Sequence, residues 1–301
     1  MRVIFLGTAG SFPTIRRNHP SIAIHRGSEL ILFDCGEGTQ RQMFHAKLGF
    51  CQKVFITHMH GDHVLGLPGL LQTMSLLDVK SPLKIYGPEG INNFVNVMME
   101  AVKFKLTFPI EIKEEGEGVV CREKEYEVNA SWVDHSIPSL AYALVEKERP
   151  GRFYPEKALS LEIPEGPLWS RLQHGKEVIL SNGQVISPKQ VLGPPRPGRK
   201  IVYSGDTRPC DAIVRLAEGA DLLIYEATLD DELTEKARES GHSTPSQGAK
   251  VAKEAKVKRL VITHISARYD NADVLLQQAK KIFPNTQLAE DLMELEIPYS
   301  A

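Results

Sequence analysis

The chain has 301 residues, 42% of them hydrophobic and 25% charged, with a net charge of −2. That balance excludes extended disorder and is ordinary for a globular chain of one large or two modest domains. Its apolar runs are too short for a membrane-spanning helix, and the opening Met1–Gly7 is too short for a signal peptide.

In chain order, Arg2–Gly7 reads as a strand stopped by Gly-Thr-Ala-Gly. Ser21–His25 and Leu30–Asp34 flank Arg-Gly-Ser-Glu, a hairpin signature. A helix over Thr39–Leu48, a strand over Lys53–Thr57 and a helix over Val64–Leu77 follow. Leu83–Tyr86 is extended, Ile91–Phe104 helical, and short strands continue through Val145. After residue 200 the alternation returns: strand Lys200–Ser204, helix Cys210–Ala217, strand Asp221–Tyr225. Thr244-Pro-Ser-Gln247 is a capping box with proline at the first helical position, so a helix starts there. Arg259–Thr263 is a strand, Ala272–Phe283 a helix and Leu288–Ile297 a final extended run. Val54-Phe-Ile-Thr-His58 is echoed by Leu260-Val-Ile-Thr-His264. Two such β-then-α halves predict an α/β fold in which two sheets pack together between outer helices.

Residues of about 148–198 interrupt the alternation with clustered Pro and Gly. From Glu146 to Lys200 there are ten Lys or Arg against six Asp or Glu, a positive segment on a negative remainder. Charge of that sign fits a polyanionic partner as well as a solvated loop. The segment is expected to be an inserted arm without a core of its own, on a single domain spanning 1–301. Cys35, Cys51, Cys121 and Cys210 lie far apart with no Cys-x-x-Cys pair. They suit neither a disulfide framework nor a cysteine zinc site and predict a reducing, cytoplasmic location.

The chemistry concentrates in His58-Met-His-Gly-Asp-His63, three imidazoles and a carboxylate in six residues between a strand and a helix. Imidazole nitrogen and carboxylate oxygen are zinc donors, and a strand-to-helix loop lets them converge. One cluster cannot complete two metal shells. His135, Asp206 and His264 each follow an apolar run, where sites gather at the strand ends of α/β sheets. The expected assignment gives His58, His60 and His135 to one zinc ion and Asp62, His63 and His264 to a second, with Asp206 bridging. Two dications outweigh two carboxylates, so the site attracts a phosphodiester and favours metal-assisted hydrolysis, with Asp62 orienting the nucleophile or taking its proton. His19, His25, His45 and His174 have no such context and are expected at the surface.

These motifs resemble the metallo-β-lactamase fold, whose His-x-His-x-Asp-His signature matches 58–63 without substitution. The resemblance implies an αβ/βα four-layer sandwich. Within that fold the chain is similar to the tRNase Z family, short form. Phe33-Asp-Cys-Gly-Glu-Gly-Thr-Gln40 resembles the motif whose Asp34 supports the metal loop from behind the ligands. Tyr225-Glu-Ala-Thr228 resembles a His-Glu-Ala-Thr motif with Tyr225 in place of histidine, and Gly241-His-Ser-Thr244 resembles the motif whose histidine acts with that glutamate. Ala267-Arg268 after His264 resembles a further loop of the family. Pro13-Thr-Ile-Arg-Arg-Asn18 resembles a Pro-x-Lys-x-Arg-Asn loop that reads the tRNA end, with Ile15 where lysine is expected.

The resemblance implies a zinc-dependent endoribonuclease that removes the 3′ trailer from precursor tRNA, leaving a 3′-hydroxyl on the tRNA and a 5′-phosphate on the trailer. It implies two zinc ions per subunit and a homodimer in which one subunit's arm grips RNA cut by the other. Asp62, Glu226 and His242 would be catalytic, with His242 protonating the departing oxygen. An imidazole suits that task near neutral pH, and a carboxylate on its second nitrogen favours the protonated form. Arg16, Arg17, Arg152, Arg171 and Arg268 are expected at the RNA. Two other readings stay open on the residues alone. The same donors serve a hydrolase of small esters, thioesters or lactones, and vestigial metal loops could persist in an RNA-binding module.

Overall fold

The computed structural model describes residues 1–299, and two seven-stranded mixed sheets dominate them. The first sheet runs, edge to edge, through Glu294–Glu296, Arg2–Gly7, Ser21–Arg26, Glu29–Phe33, Lys53–Phe55, Leu83–Gly87 and Ile110–Glu114. The second runs through Thr286–Leu288, Leu260–Thr263, Leu222–Glu226, Lys200–Tyr203, Ser139–Glu146, Tyr126–Val133 and Gly118–Arg122.

Period-two patterning explains the layers. Along Arg2–Gly7, Val3 and Phe5 enter the cluster between the sheets, whereas Ile4 and Leu6 enter a second cluster under helices Gly66–Leu76 and Ile91–Ala101. In the other sheet Leu222 and Ile224 face inward, and Leu223 and Tyr225 face outward, toward a third cluster shared with Asp211–Ala217, Pro245–Glu254 and Asp273–Lys280. Helix, sheet, sheet, helix is the expected four-layer order. Phe33 stacks near Tyr142 and Tyr203 of the opposite sheet, with ring centroids 5.8 and 6.1 Å away, and meets Phe55 edge-on at 5.7 Å. From this layer the Tyr203 hydroxyl donates to Asp34 at 2.9 Å.

Some local expectations shift. The helix Thr39–His45 ends before Leu48. The expected Val64–Leu77 helix is two pieces, Gly61–Val64 and Gly66–Leu76, so Asp62 and His63 already lie in helical backbone. Leu288–Ile297 is not one extended run. Its two ends pair with different sheets, and Leu292 between them has a φ of 65°. The helix Thr234–Ser240 was not anticipated, being too polar to show periodicity.

Glu146–Arg199, joined by Tyr299, forms a compact unit of its own. Two short helices, Pro155–Ser160 and Pro167–Gln173, and the hairpin Val178–Ile179 with Val185–Ile186 enclose Ala158, Ile163, Leu172, Ile186 and Val191. The expectation that this segment has no core is therefore corrected. Its apolar residues are spaced singly among Pro and Gly and meet only after the chain turns. At its base Arg199 donates to both carboxylate oxygens of Glu146 at 2.8 Å. The Tyr299 ring meets the guanidinium groups of Arg149 and Arg199, 3.4 and 3.7 Å from its centroid.

Candidate metal centre

Every predicted metal donor converges at one edge of the two sheets. One donor atom each from His58, His60, His135 and Asp206 lies within 4.8 Å of the others, and so do those of Asp62, His63 and His264. A third group of the same spacing joins Asp206, His242 and His264, so Asp206 is common to two of the three.

Three nitrogens define the first half: His60 Nδ1 lies 3.0 Å from His58 Nε2 and 3.2 Å from His135 Nε2. In the second, His63 Nε2 and His264 Nε2 are 3.4 Å apart and 3.6 and 3.5 Å from Asp62 Oδ2. Asp206 sits between the halves, its oxygens 3.8 Å from His58 Nε2, 3.4 Å from His63 Nε2 and 3.3 Å from His264 Nε2.

Neighbouring groups decide which nitrogen of each ring is free. The Thr57 hydroxyl lies 3.0 Å from Asp34 Oδ1 and 2.9 Å from His58 Nδ1. By donating to Asp34 it accepts the Nδ1 proton of His58 and frees Nε2. Asp34 Oδ2 also accepts from His63 Nδ1 at 2.6 Å and from the Tyr203 hydroxyl at 2.9 Å. His135 Nδ1 donates to the Gly241 carbonyl at 2.7 Å, and His264 Nδ1 to Thr228 Oγ1 at 2.8 Å. Asp34 thus holds the His63 ring directly and the His58 ring through Thr57. Asp34 and His264 hold left-handed backbone, with φ of 58° and 59°, conformations costing about 1–3 kcal/mol each and typical of constrained sites.

The donor set fits a divalent cation. Asp206 Oδ1 is buried and accepts no hydrogen bond among the described residues; it faces imidazole nitrogens, with His63 Nε2 at 3.4 Å. Burial and the neighbouring His63 hold His58 well below the ordinary imidazole range, and burial lowers His60 and His135, so these rings keep free lone pairs. His63 is the opposite case. Burial opposes its charge, but Asp206 and Asp34 outweigh it and raise its pKa well above the usual value. In effect a proton holds the place a metal would take.

His242 and Glu226 also meet. His242 Nδ1 lies 2.9 Å from Glu226 Oε1. Burial opposes a charge on His242, yet the Glu226 carboxylate prevails and brings its pKa to about 9. Glu226, itself buried, accepts from the backbone N–H groups of Thr207 at 2.9 Å and Ser243 at 3.1 Å, and from the Thr228 hydroxyl at 2.6 Å.

Close packing at two glycines permits the convergence. A Cβ on Gly36 would sit 2.3 Å from the Asp62 carbonyl oxygen. Gly241, with φ of 85°, offers its carbonyl to His135 where a side chain would meet the ring at 2.8 Å.

The remaining sites divide. His45 and His174 are exposed and His25 half-buried, but His19 is buried rather than at the surface, tucked against Gly36. Arg16, Arg152, Arg171 and Arg268 are exposed. Arg17 is not free in the same way: its Nη1 donates to Thr8 Oγ1 at 2.7 Å and the Ala289 carbonyl at 2.6 Å. Asp291 went unnoticed in the sequence. It accepts from Thr8 Oγ1, Asn18 N and Gln42 Nε2 at 2.7–2.9 Å and so anchors the loop whose Ser11 N–H bonds Asp62 at 2.9 Å. Nothing in its local sequence distinguishes Asp291. Thr57 carried a signal, since the same Thr-His pair recurs at 263–264.

Two family models match parts of the chain: the beta-lactamase superfamily domain over residues 174–265 and the anti-Pycsar protein Apyc1 over residues 1–99. The crystal structure of the metallo-beta-lactamase fold protein YhfI from Bacillus subtilis superposes with a TM-score of 0.68 at 18% identity, over 98% of both chains. The double-sheet sandwich is thus the metallo-β-lactamase fold, and its His/Asp cluster suits a divalent metal. "Ribonuclease Z" of Methanosarcina acetivorans is 51% identical over 99% of this chain and 99% of its own, and that of Methanothermobacter thermautotrophicus 47% identical over 99% and 97%. The crystal structure of human tRNase Z, short form, matches with a TM-score of 0.74 at 33% identity, covering 99% of this chain and all of that one. The chain belongs to the ribonuclease Z family.

Proposed function

We propose that this protein is the endoribonuclease that removes the 3′ trailer from precursor tRNA, leaving a 3′-hydroxyl on the tRNA and a 5′-phosphate on the trailer. The observation that carries this is the 2.9 Å pairing of His242 with Glu226 beside the donor cluster, in a chain that matches ribonuclease Z along its whole length. Metal binding alone needs no such proton donor. A 3′-alkoxide departing from RNA does.

Histidine-rich donors with a shared carboxylate suit zinc, two ions per chain. His58, His60 and His135 would hold one, Asp62, His63 and His264 the other, and Asp206 both. When bound, such a pair lowers the pKa of water and offsets the charge that builds on the phosphate. The protein's own groups do the rest. Asp34 and Thr228 keep the ligand rings oriented, Asp62 orients the nucleophile or takes its proton, and protonated His242 delivers a proton to the departing O3′. Glu226, fixed by two backbone donors, keeps that proton in place.

The unit Glu146–Arg199 serves as the arm that grips the tRNA body, with exposed Arg152 and Arg171 at its phosphates. Arg16, Arg17 and Arg268 contribute near the cut, Arg17 partly by shaping its loop. The working form is a homodimer in which one subunit's arm engages RNA cut by the other, and the location is cytoplasmic. No described helix is long and apolar enough to cross a membrane.

Zinc-loaded protein should release trailer and mature tRNA from a precursor transcript, with a 5′-phosphate on the trailer. A protein that hydrolyses small phosphodiesters but leaves the precursor intact is not this enzyme.

A further inference from the structure

Beside the metal centre lies a cavity of about 1000 Å³ that none of the assignments above uses. Its walls are Met59, Pro88, Trp132, Ile137 and Pro138, with Glu89, Glu114 and Glu115 also lining it. Its position follows from the chain: Met59 separates His58 from His60, and Trp132 and Ile137 bracket His135. Trp132, near the end of strand Tyr126–Val133, is 40% exposed, with its ring over Gly116, where a Cβ would lie 3.6 Å from it. An indole left in solvent beside a phosphodiester centre is a platform without an occupant.

We infer that this cavity is a nucleobase subsite, in which the base of the nucleotide immediately 5′ to the cut stacks on Trp132. The inference rests on the proposed RNA-cleaving function and names the part of the substrate this wall takes. Three considerations select the occupant. The lining is largely apolar and includes chain neighbours of three donors, Met59 beside His58 and His60 and Ile137 two residues from His135, so the group that enters is covalently close to the scissile phosphate. The glutamates repel phosphate, which leaves a base as the part of RNA that can enter. Glu114 Oε1 is occupied by the N–H groups of Gly90 at 2.9 Å and Asn92 at 3.2 Å. Glu115 lines the same wall, and a carboxylate there can accept an N–H from a base edge. Direction comes from the proton donor. The departing O3′ belongs to the nucleotide on the 5′ side, and His242 lies 5.1 Å, ring to ring, from His135, whose flanks form the cavity. The Ser11 loop approaches the centre at Asp62 instead.

The test compares three precursor tRNAs: intact, abasic at the last tRNA nucleotide and abasic at the first trailer nucleotide. Base–aromatic stacking of ordinary strength predicts that Trp132→Leu lowers kcat/KM on the intact precursor by about tenfold to a hundredfold. The same change should do nothing further on RNA lacking the last tRNA base, and Trp132→Phe should restore most of the activity. Equal losses on all three RNAs, or a loss that vanishes only when the trailer base is removed, overturn the inference. A binding measurement avoids reliance on a destabilised variant. Trp132 and Trp169 are the two tryptophans, so in Trp169→Phe protein the emission reports Trp132 alone. Adenosine 5′-monophosphate should quench it saturably, and absence of quenching counts against the subsite. If wild-type protein leaves the precursor uncut while the nucleotide still quenches Trp132, the RNA-processing reading falls, and with it the assignment to the base 5′ of a cut, leaving only a nucleotide-binding cavity. Cleavage without quenching and without an effect of Trp132→Leu removes the subsite alone.

Discussion

Glu226 and His242 come from different segments, the end of strand Leu222–Glu226 and the turn before helix Pro245–Glu254, yet their side chains meet at 2.9 Å. Through Thr228 the same carboxylate also reaches His264, so one buried acid contacts both the proposed proton donor and a ring of the donor cluster.

A consequence is a shift in pH dependence. The Glu226 charge raises the pKa of His242 to about 9 against the opposing effect of burial. The acid form therefore persists at neutral pH and is lost as pH rises through that value. Glu226→Gln removes the charge, so the proton leaves at lower pH. The alkaline limb of kcat against pH should move down by a unit or more, so that activity at pH 8 falls by about twofold for a shift of one unit and about tenfold for two, while activity well below the limb is kept. An unmoved alkaline limb would separate Glu226 from the proton donor.

Metal uptake should be linked to protons. Without metal, Asp206 and Asp34 hold a proton on His63 despite its burial. A dication bound at Nε2 must displace it. Zinc added to metal-free protein in weak buffer should release protons, and apparent affinity should weaken as pH falls. Titration with a pH indicator measures the release. Chelation of the metal should abolish precursor cleavage.

Asp34 touches no predicted metal position yet fixes His63 directly and His58 through Thr57. Asp34→Asn keeps the shape and loses the charge. Loss of such a supporting acceptor typically weakens metal binding by about 10–100-fold. Competition with a chromogenic chelator reads the change, and unaltered affinity would assign Asp34 a purely architectural part.

Gly36 is expected to tolerate no side chain. Its hypothetical Cβ lies 2.3 Å from a backbone oxygen of Asp62, and backbone cannot swing aside as a flexible side chain can. Gly36→Ala should lower stability by about 1–3 kcal/mol, the usual cost of overpacking, and reduce bound metal together with it. Denaturant unfolding and metal analysis on the same sample test both.

Arg152 and Arg171, on the proposed arm, are expected to meet phosphates of the tRNA body. Replacing both with alanine should raise KM for precursor tRNA. It should also flatten the dependence of affinity on salt, by about one unit of slope for each phosphate no longer neutralised. Hydrolysis of a small chromogenic phosphodiester should stay unchanged. Equal losses on both substrates would contradict the arm's role.

Much of the fold is legible in the sequence because it is local. Alternation along Arg2–Gly7 sets its two faces through the strand geometry itself. His58, His60, Asp62 and His63 are close in sequence, so they are close in space in any compact turn. The capping box at Thr244 and Gln247 needs only neighbouring backbone, and it formed. The core of Glu146–Arg199 was missed for the converse reason: residues such as Ala158, Leu172 and Ile186 lie in short pieces with no sustained period.

Donor types and their placement after apolar runs are properties of the chain alone, and with them the kind of chemistry. Only the tertiary structure decided which nitrogen of each ring faces the centre, because a tautomer is set by a partner distant in sequence, as the Gly241 carbonyl sets that of His135. Asp291, far along the chain from the Thr8–Asn18 loop it anchors, belongs to the same category. Residues separated by hundreds of positions become neighbours through sheet pairing and close packing, which no local pattern records.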